Sequence, residues 1–301
     1  MFEKILGNDL IKENLIKSVK SSKISHSYLF IGIDGIGKRM IAKEFAKMLM
    51  CLNEIKYCNN CKSCIEFDTN NNPDFFYIEP DGNSIKIEQI RDLQKKVWEK
   101  PIISNKKIFI IDNSDKMTVE AQNCLLKTLE EPPEYITIIL ITSNENKLLT
   151  TIKSRCMKIS FNKISDKDIK EYLDVQFGKL DISNDIIKIA NGSIGKAINI
   201  KDKEDLYLSI NLLIKELKDS KNVLNIIKNA EFLYKGKEEI YEILEYINIL
   251  LLNSKNIKLI NCISIIEETK KRLKSNANYD MSIDNMLFNI WEEVNEKNSR
   301  S

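Results

Sequence analysis

The sequence predicts an α/β protein, with a phosphate-loop (P-loop) parallel-sheet domain in front and an all-helical part behind. A glycine-rich loop at 32–38 lies between an apolar run and a helical segment, and apolar runs alternate with helical segments through the first half. All five prolines lie at or before Pro133, and Gly236 is the one glycine after Gly195. Because turn residues concentrate in the first half, we expect a mixed front and a helical back.

Four short apolar runs in the first half are strand candidates. Each is nearly continuous in hydrophobicity, and helix-like segments separate them, which is typical of a parallel sheet covered on both faces. The runs are SYLFIG (27–32), DFFYIEP (74–80), KIFIID (107–112) and YITIILIT (135–142).

Helical periodicity fills the segments between and after these runs. The segment KRMIAKEFAKMLMC directly follows the glycine-rich loop, and AQNCLLKTLEE is predicted to end before Pro132, because the residue before a proline avoids the helical region. Short amphipathic helices are predicted over 165–177 and 183–200. From about Asp205 onward, helical periodicity dominates.

Charge and composition exclude several classes of function. The 46 basic and 44 acidic residues leave a net charge of +2 in 301 residues, so no strong overall field attracts nucleic acid or membrane. No apolar run approaches the roughly 20 residues that span a bilayer, and MFEKILGNDL lacks the order of a signal peptide. We expect a cytoplasmic protein. A hydrolase with a Ser-His or Cys-His pair is not expected, because His26 is the single histidine.

The segment GIDGIGKRM matches the G-x-x-x-x-G-K pattern of a phosphate-binding loop. Gly32, Gly35 and Gly37 permit the required backbone angles, and Lys38 stands at the position that reaches phosphates. Backbone N–H groups of such a loop and of the following helix face an anion. The preceding strand and the following helix support this interpretation, so a nucleotide-binding fold is favoured over a chance glycine turn.

Two residues around this loop argue against ATP hydrolysis. The residue after the lysine normally ligates Mg²⁺ through a hydroxyl, but here it is Arg39, a cation that would repel the metal. The run KIFIID ends in Asp112, which would hold the metal. The next residue in an active ATPase is usually a glutamate that orients water, but here it is the neutral Asn113. Asp115 is expected to face elsewhere. Nucleotide binding without hydrolysis stays open.

Four of the seven cysteines cluster within 14 residues and predict a structural zinc site. The spacing of Cys51, Cys58, Cys61 and Cys64 includes two Cys-x₂-Cys steps, which suit tetrahedral Zn²⁺ coordination with no open position for a catalytic water. An iron–sulfur cluster is the alternative. A disulfide framework is not expected, because the cysteine count is odd and the predicted compartment is reducing.

The order of several further motifs resembles a known family. LGNDLIKENLIKSV, ISHSYLFIGIDGIGK, MTVEAQNCLLKTLEEPP, LLTTIKSRC and NGSIGKAI follow one another as in bacterial clamp-loader subunits of the AAA+ class. The specific motifs cover roughly residues 1–200. The resemblance implies a P-loop-like AAA+ domain over 1–162 with a zinc module at about 51–64, a helical lid over 163–204, and a helical collar for oligomerisation over 205–301.

The resemblance also implies roles for residues outside the loop. Arg155, in the motif Ser-Arg-Cys, falls at the position of an arginine finger that completes a neighbouring subunit's ATP site in trans, and a planar guanidinium suits γ-phosphate charge. Thr142 falls at a sensor position near the phosphate. The implied partners are gamma/tau and delta subunits in a hetero-pentamer, the sliding clamp and primer–template DNA, within a DNA polymerase holoenzyme and without a membrane.

Three functions remain open at the sequence level. The degenerate Walker A loop favours the non-hydrolysing delta-prime branch of the family, which acts in DNA replication. An active gamma/tau-like ATPase that tolerates Arg39 and Asn113 is the alternative, and such a motor is expected to extend beyond the collar. A stand-alone zinc nucleic-acid binder is disfavoured by the near-neutral charge and the lack of aromatic–basic interleaving.

Overall fold

The computed structural model describes residue 2 and residues 5–53, 57–178, 187, 189–219, 223–253 and 257–295. The chain divides into two compact units. The first contains residues 1–180 and 191–196, and the second contains residues 181–190 and 197–301.

A parallel five-stranded sheet organises the described part of the first unit. Its strands are β1 (Ser27–Ile31), β2 (Phe75–Ile78), β3 (Lys107–Ile111), β4 (Ile136–Thr142) and β5 (Met157–Ser160). The order across the sheet is β2-β3-β4-β1-β5, and each neighbouring pair is parallel. The predicted α/β class and all four predicted strands are confirmed.

The fifth strand, β5, has no counterpart in the sequence prediction. The central strands β3 and β4 are buried along their whole length, because helices cover both faces of a parallel sheet. In contrast, β5 is an edge strand with only Ile159 partly covered. Its sequence, Met-Lys-Ile-Ser, therefore lacks the continuous apolar run that marks a buried strand.

Seven helices of the first unit are described between and around the strands. The helix α5 begins after Thr118, whose hydroxyl accepts the N–H of Ala121, and it ends at Glu130 ahead of the two prolines, as predicted. The helices are α1 (Asp9–Lys20), α2 (Lys38–Met50), α3 (Lys62–Asp68), α4 (Ile87–Val97), α5 (Val119–Glu130), α6 (Thr150–Lys153) and α7 (Asp166–Phe177).

Apolar layers lie on the two faces of the sheet. Phe109 and Leu140 from the central strands pack with Leu93 of α4 and Leu125 of α5 in one buried cluster. Tyr28 of β1 contacts Phe45 of α2 edge-to-face, with ring centres 5.2 Å apart. The glycine-rich loop, Asp112 and Thr142 lie at the carboxyl ends of β1, β3 and β4.

The described part of the second unit is helical, as the sequence predicts. A continuous apolar core contains Ile210, Leu244, Tyr246 and Ile283. In the predicted helix over 183–200, residues 183–186 and 188 lie outside the described residues. The helices are Ile194–Asp202, which begins in the first unit, Glu204–Asp219, Val223–Asn229, Glu231–Lys235, Ile240–Asn253, Ile257–Lys274 and Tyr279–Asn295.

Among the described residues, none of the helices combines the length and the hydrophobicity that a membrane crossing requires.

Candidate nucleotide and metal sites

The glycine-rich loop follows β1 at the carboxyl edge of the sheet, the edge at which ligands bind in open parallel sheets. Gly35 and Gly37 have φ angles of 74° and 96°, which glycine adopts without steric cost. The N–H of Gly32 donates to the carbonyl of Thr142 at 3.2 Å. The loop is thereby tied to the end of β4.

The side chain of Lys38, the first residue of α2, is folded back onto the glycine-rich loop. Its Nζ donates to the carbonyls of Gly32 at 2.5 Å and Ile33 at 2.8 Å, and it lies 3.7 Å from the Asp34 carboxylate. The side chain is buried, and burial lowers the pKa of its ammonium group. An incoming phosphate must therefore exchange with two carbonyl acceptors to reach this lysine.

Arg39 binds Asp112, the acid that the sequence assigns to a metal. Its Nε donates to Asp112 Oδ2 at 2.7 Å, and its Nη2 lies 2.5 Å from the same oxygen. The hydroxyl of Tyr77 donates to Oδ2 at 2.6 Å, and the N–H of Asn113 donates to Oδ1 at 2.9 Å. Both oxygens of this buried carboxylate thus have protein partners. Arg39 stands at the position whose hydroxyl would normally ligate Mg²⁺, and its charge neutralises Asp112, the other expected metal ligand.

The electrostatics of this cluster keep the ion pair charged. Burial lowers the pKa of the Arg39 guanidinium, but the hydrogen bond from Arg39 to Asp112 and the charge of Asp112 outweigh burial and raise that pKa overall. Burial and the hydrogen bond to Asp112 raise the pKa of Tyr77, so its phenol stays a neutral donor. A guanidinium above the Tyr77 ring, 5.5 Å from its centre, adds a cation–π contact.

Asp115 lies beside the predicted sensor residue, so the expectation that it faces elsewhere is wrong. Thr142 Oγ1 donates to Asp115 Oδ1 at 2.9 Å and accepts the N–H of Asn144 at 3.0 Å. The charge of Asp115 also raises the pKa of Lys38 against the larger effect of burial. The cause is the short 3₁₀ turn Ser114–Lys116, which directs Asp115 back towards the end of β4.

A second segment, residues 193–195 at the start of the helix Ile194–Asp202, contacts the glycine-rich loop. The Ser193 hydroxyl donates to the Asp34 carbonyl at 2.7 Å, and the N–H of Gly195 donates to the Gly35 carbonyl at 2.9 Å. A Cβ atom on Gly35 would lie 2.4 Å from Ser193 Oγ. Sequence reasoning missed this contact. The glycines of NGSIGKAI were the available signal, since closely approaching backbones require them.

The predicted finger, Arg155, lies between α6 and β5 and is held by the chain's own residues. Its Nη1 donates to the Thr151 carbonyl at 2.9 Å, and its Nη2 lies 2.6 Å from Glu130 Oε1. The Arg155 carbonyl accepts the Ser27 hydroxyl at 2.6 Å. The side chain remains one-third exposed, so the guanidinium is fixed within the chain and accessible from outside.

The four cysteines of the cluster converge on one point between α2 and α3. Their sulfur atoms all lie within 4.8 Å of one another, and the group could hold a metal ion. Cys51 and Cys58 are 3.5 Å apart, and Cys58 and Cys64 are 4.0 Å apart, measured between Sγ atoms. The convergence suits a tetrahedral thiolate site.

Backbone donors surround these sulfurs. Burial raises the pKa of the Cys51, Cys58 and Cys61 thiols, but hydrogen bonds from backbone N–H groups outweigh burial and bring each pKa below its usual value. The pKa of Cys64 is raised, chiefly by burial. In the turn after Cys58, the N–H of Cys61 donates to Cys58 Sγ at 3.3 Å. Such N–H groups stabilise thiolates, the ionisation state that binds a metal.

Lys47 joins the cysteine module to the helix that follows the glycine-rich loop. Its buried ammonium group donates to Asn59 Oδ1 at 2.7 Å and to the Asp68 carboxylate at 2.7 Å. It also lies 5.0 Å from the centre of the Tyr57 ring. Because Asn59 lies between two cysteines and Asp68 ends α3, one lysine orients both sides of the module against α2.

These features define a class of protein. They match a clamp-loader-type AAA+ domain. Such a domain has a parallel sheet in the order β2-β3-β4-β1-β5 and a glycine-rich loop after β1. It also has an acid at the end of β3 and a polar residue at the end of β4.

Comparison with known families supports and narrows this class. Residues 7–165 match the family described as DNA polymerase III, delta subunit, and the chain belongs to that family. It is 33% identical over 242 residues to the DNA polymerase III subunit gamma/tau of Mycoplasma genitalium, covering 77% of this chain and 40% of the relative. It is 39% identical over 160 residues to the subunit delta' of Bacillus subtilis, covering 53% and 49%.

The chain thus spans about half or less of the length of these curated relatives. A solved structure of a DNA polymerase III, gamma subunit-related protein from Thermotoga maritima aligns with a TM-score of 0.56 at 19% identity, over 93% of this chain and 99% of that one. At this identity the likeness supports the fold alone. Relatives of both the delta' and the gamma/tau kind match, so the choice between them depends on the residues of the site.

Proposed function

We propose that this chain is a delta-prime-like, non-hydrolysing subunit of a DNA polymerase III clamp loader, and that it acts in DNA replication. The observation that carries the proposal is the ion pair between Arg39 and Asp112. It occupies both anchors that a P-loop ATPase uses for Mg²⁺. Asn113 adds the second lesion, since an amide cannot act as a base for the attacking water.

The chemistry of this subunit then lies in Arg155, which completes the ATP site of a neighbouring subunit. A finger must be anchored in its own chain and reachable by another. Arg155 combines anchors at Thr151, Glu130 and Ser27 with partial exposure. Fingers of this kind contribute roughly 10³–10⁵ in rate by stabilising transition-state charge.

The wider assembly follows from the same proposal. The neighbours are gamma/tau and delta subunits in a hetero-pentamer, which loads the sliding clamp on primer–template DNA. Residues 1–162 form the AAA+ domain, 163–204 the lid and 205–301 the oligomerising collar. Zn²⁺ held by Cys51, Cys58, Cys61 and Cys64 stabilises the small module, and the closed donor set gives the metal no catalytic role.

A gamma/tau-like ATPase is the second candidate, and one observation favours it. The match to the gamma/tau subunit of Mycoplasma genitalium extends over 77% of this chain, further than the match to the delta' subunit of Bacillus subtilis. This sequence similarity reflects the shared domain framework, whereas the Arg39–Asp112 pair lies at the position where Mg²⁺ would bind. We therefore place more weight on the pair.

Two measurements test the proposal. The purified chain should show no ATP turnover above background, with or without primed DNA. Turnover that Lys38→Ala abolishes would instead establish the motor. In the reconstituted loader, Arg155→Ala should remove the share of DNA-stimulated ATPase that the completed site contributes, with assembly intact by gel filtration. Lys153→Ala, at the last residue of α6, is the matched control. Equal turnover of the Arg155 and Lys153 variants would contradict the finger.

A further inference from the structure

We infer that Glu130 is a positioning residue for the finger: it holds the Arg155 guanidinium in the orientation that meets the neighbouring subunit's phosphate. This inference rests on the proposed function, since it concerns how the finger is presented. Glu130 is the first acid of the Leu-Glu-Glu-Pro-Pro segment, and the sequence alone predicts no chemical role for it.

The geometry fixes the guanidinium from two sides. Glu130 Oε1 lies 2.6 Å from Nη2 of Arg155, and the Thr151 carbonyl lies 2.9 Å from Nη1. A guanidinium carries five N–H donors in a rigid plane, so these two contacts define the plane and leave three donors for an anion. A planar fork that is already oriented loses less rotational freedom when it binds a phosphate.

Both anchors belong to helices of the first unit. Glu130 is the last residue of α5, which stops there because of Pro132 and Pro133. Thr151 belongs to α6. Since α5 packs in the apolar cluster under the sheet through Leu125 and Leu129, the helix that carries Glu130 is anchored in the core.

The position of Glu130 argues against a role in helix stability. A carboxylate in the last turn of a helix is opposed by the partial negative charge of the terminal carbonyls. Arg155 offsets that charge from outside the helix. The pair is also partly solvated, with side chains 33% and 49% exposed, and exposed pairs contribute little to stability. The consequence of the contact is therefore the orientation of Arg155.

The test uses the reconstituted loader with this chain and its ATPase neighbours. Glu130→Ala should lower kcat at the completed site on the order of tenfold, with KM nearly unchanged, because an oriented contact acts mainly in the transition state. Glu130→Gln should recover most of this loss, since its amide oxygen can accept the same hydrogen bond. Glu131→Ala, one residue further and outside the contact with Arg155, is the matched control and should keep kcat.

A double-mutant cycle separates positioning from general structure. Adding Glu130→Ala to Arg155→Ala should cause no further loss, because the side chain that Glu130 positions is already absent. A further loss in the double variant would overturn the inference. Two other results would also overturn the inference, provided that Arg155→Ala is impaired. One is a kcat for Glu130→Ala equal to that of Glu131→Ala, and the other is a kcat for Glu130→Ala above that of wild type. If Arg155→Ala itself has no effect, the finger assignment fails, and the positioning role fails with it.

Discussion

The guanidinium of Arg39 and the carboxylate of Asp112 form an ion pair at 2.5 Å, joining the start of α2 to the end of β3. In a P-loop ATPase these two positions face each other across Mg²⁺. Here they neutralise one another directly, and Tyr77 and the Asn113 N–H complete the hydrogen bonding of the acid. In the proposed function, Arg39 at the start of α2 therefore stands in place of one metal ligand and occupies the other, Asp112.

Replacing Arg39 should reopen the metal site. In Arg39→Thr, a hydroxyl stands at the ligand position and Asp112 loses its cationic partner. We expect ATP to bind this variant roughly tenfold more tightly with Mg²⁺ than with EDTA, the scale of one charged contact, whereas wild type should show no such difference. Calorimetric titration with ATP measures both affinities.

The control for this experiment is Lys43→Thr. Lys43 lies one turn further along α2, 5.0 Å from the centre of the Tyr77 ring, and makes the same cation–π contact as Arg39. Like Arg39, it places one positive charge on α2. If Lys43→Thr gains the same response to Mg²⁺, general charge and not the release of Asp112 is responsible.

Metal analysis should find one zinc per chain, bound by the four clustered cysteines. Cys58→Ser should lose the metal and lower the unfolding temperature by about 5 °C or more, equivalent to a few kcal/mol in a domain of this size. Zinc affinity should also fall as pH falls, because protons compete for the thiolates. Atomic absorption and thermal unfolding measure these effects.

Cys124→Ser is the matched control for the zinc experiment. Cys124 lies outside the cluster on α5, where its Sγ contacts Gln94 Oε1 at 3.2 Å. It should retain a full equivalent of zinc. The zinc proposal would be overturned if the wild-type protein contains no metal and still unfolds at the same temperature whether or not zinc is added.

Gly35→Ala should destabilise the chain more than Gly82→Ala. Both glycines have positive φ angles, 74° and 66°, so both variants bear the cost of about 1–2 kcal/mol for a left-handed residue. A Cβ on Gly35 would also meet Ser193 Oγ at 2.4 Å, whereas nothing lies within 4 Å of one on Gly82. Overpacking adds about 1–3 kcal/mol.

Urea unfolding of the two glycine variants measures the difference. Because the left-handed penalty is common to both, the excess for Gly35→Ala reports the contact between the glycine-rich loop and residues 193–195. Equal stabilities would mean that residues 193–195 do not contact the loop in solution. Gly195→Ala is a second probe, since its Cβ would lie 2.8 Å from the Cα of Gly35.

Much of the framework could be predicted from the sequence because it depends on local patterns. Nearly continuous apolar runs located β1 to β4, and Pro132 marked the end of α5. The strand β5 escaped because an edge strand has no need of a continuous apolar run. Residues paired over long sequence separations, such as Glu130 with Arg155, leave no periodic signal.

The sequence by itself determined which chemical groups are present: a loop with Lys38, a cation in place of a metal-binding hydroxyl, an amide in place of a glutamate, and four cysteines at chelating spacing. Only the tertiary structure decided what those groups do to one another. It turned Arg39 onto Asp112, Asp115 towards Thr142, and Lys38 onto the loop's carbonyls. The physical reason is that hydrogen bonds and ion pairs act over a few ångströms, and folding alone brings distant residues that close.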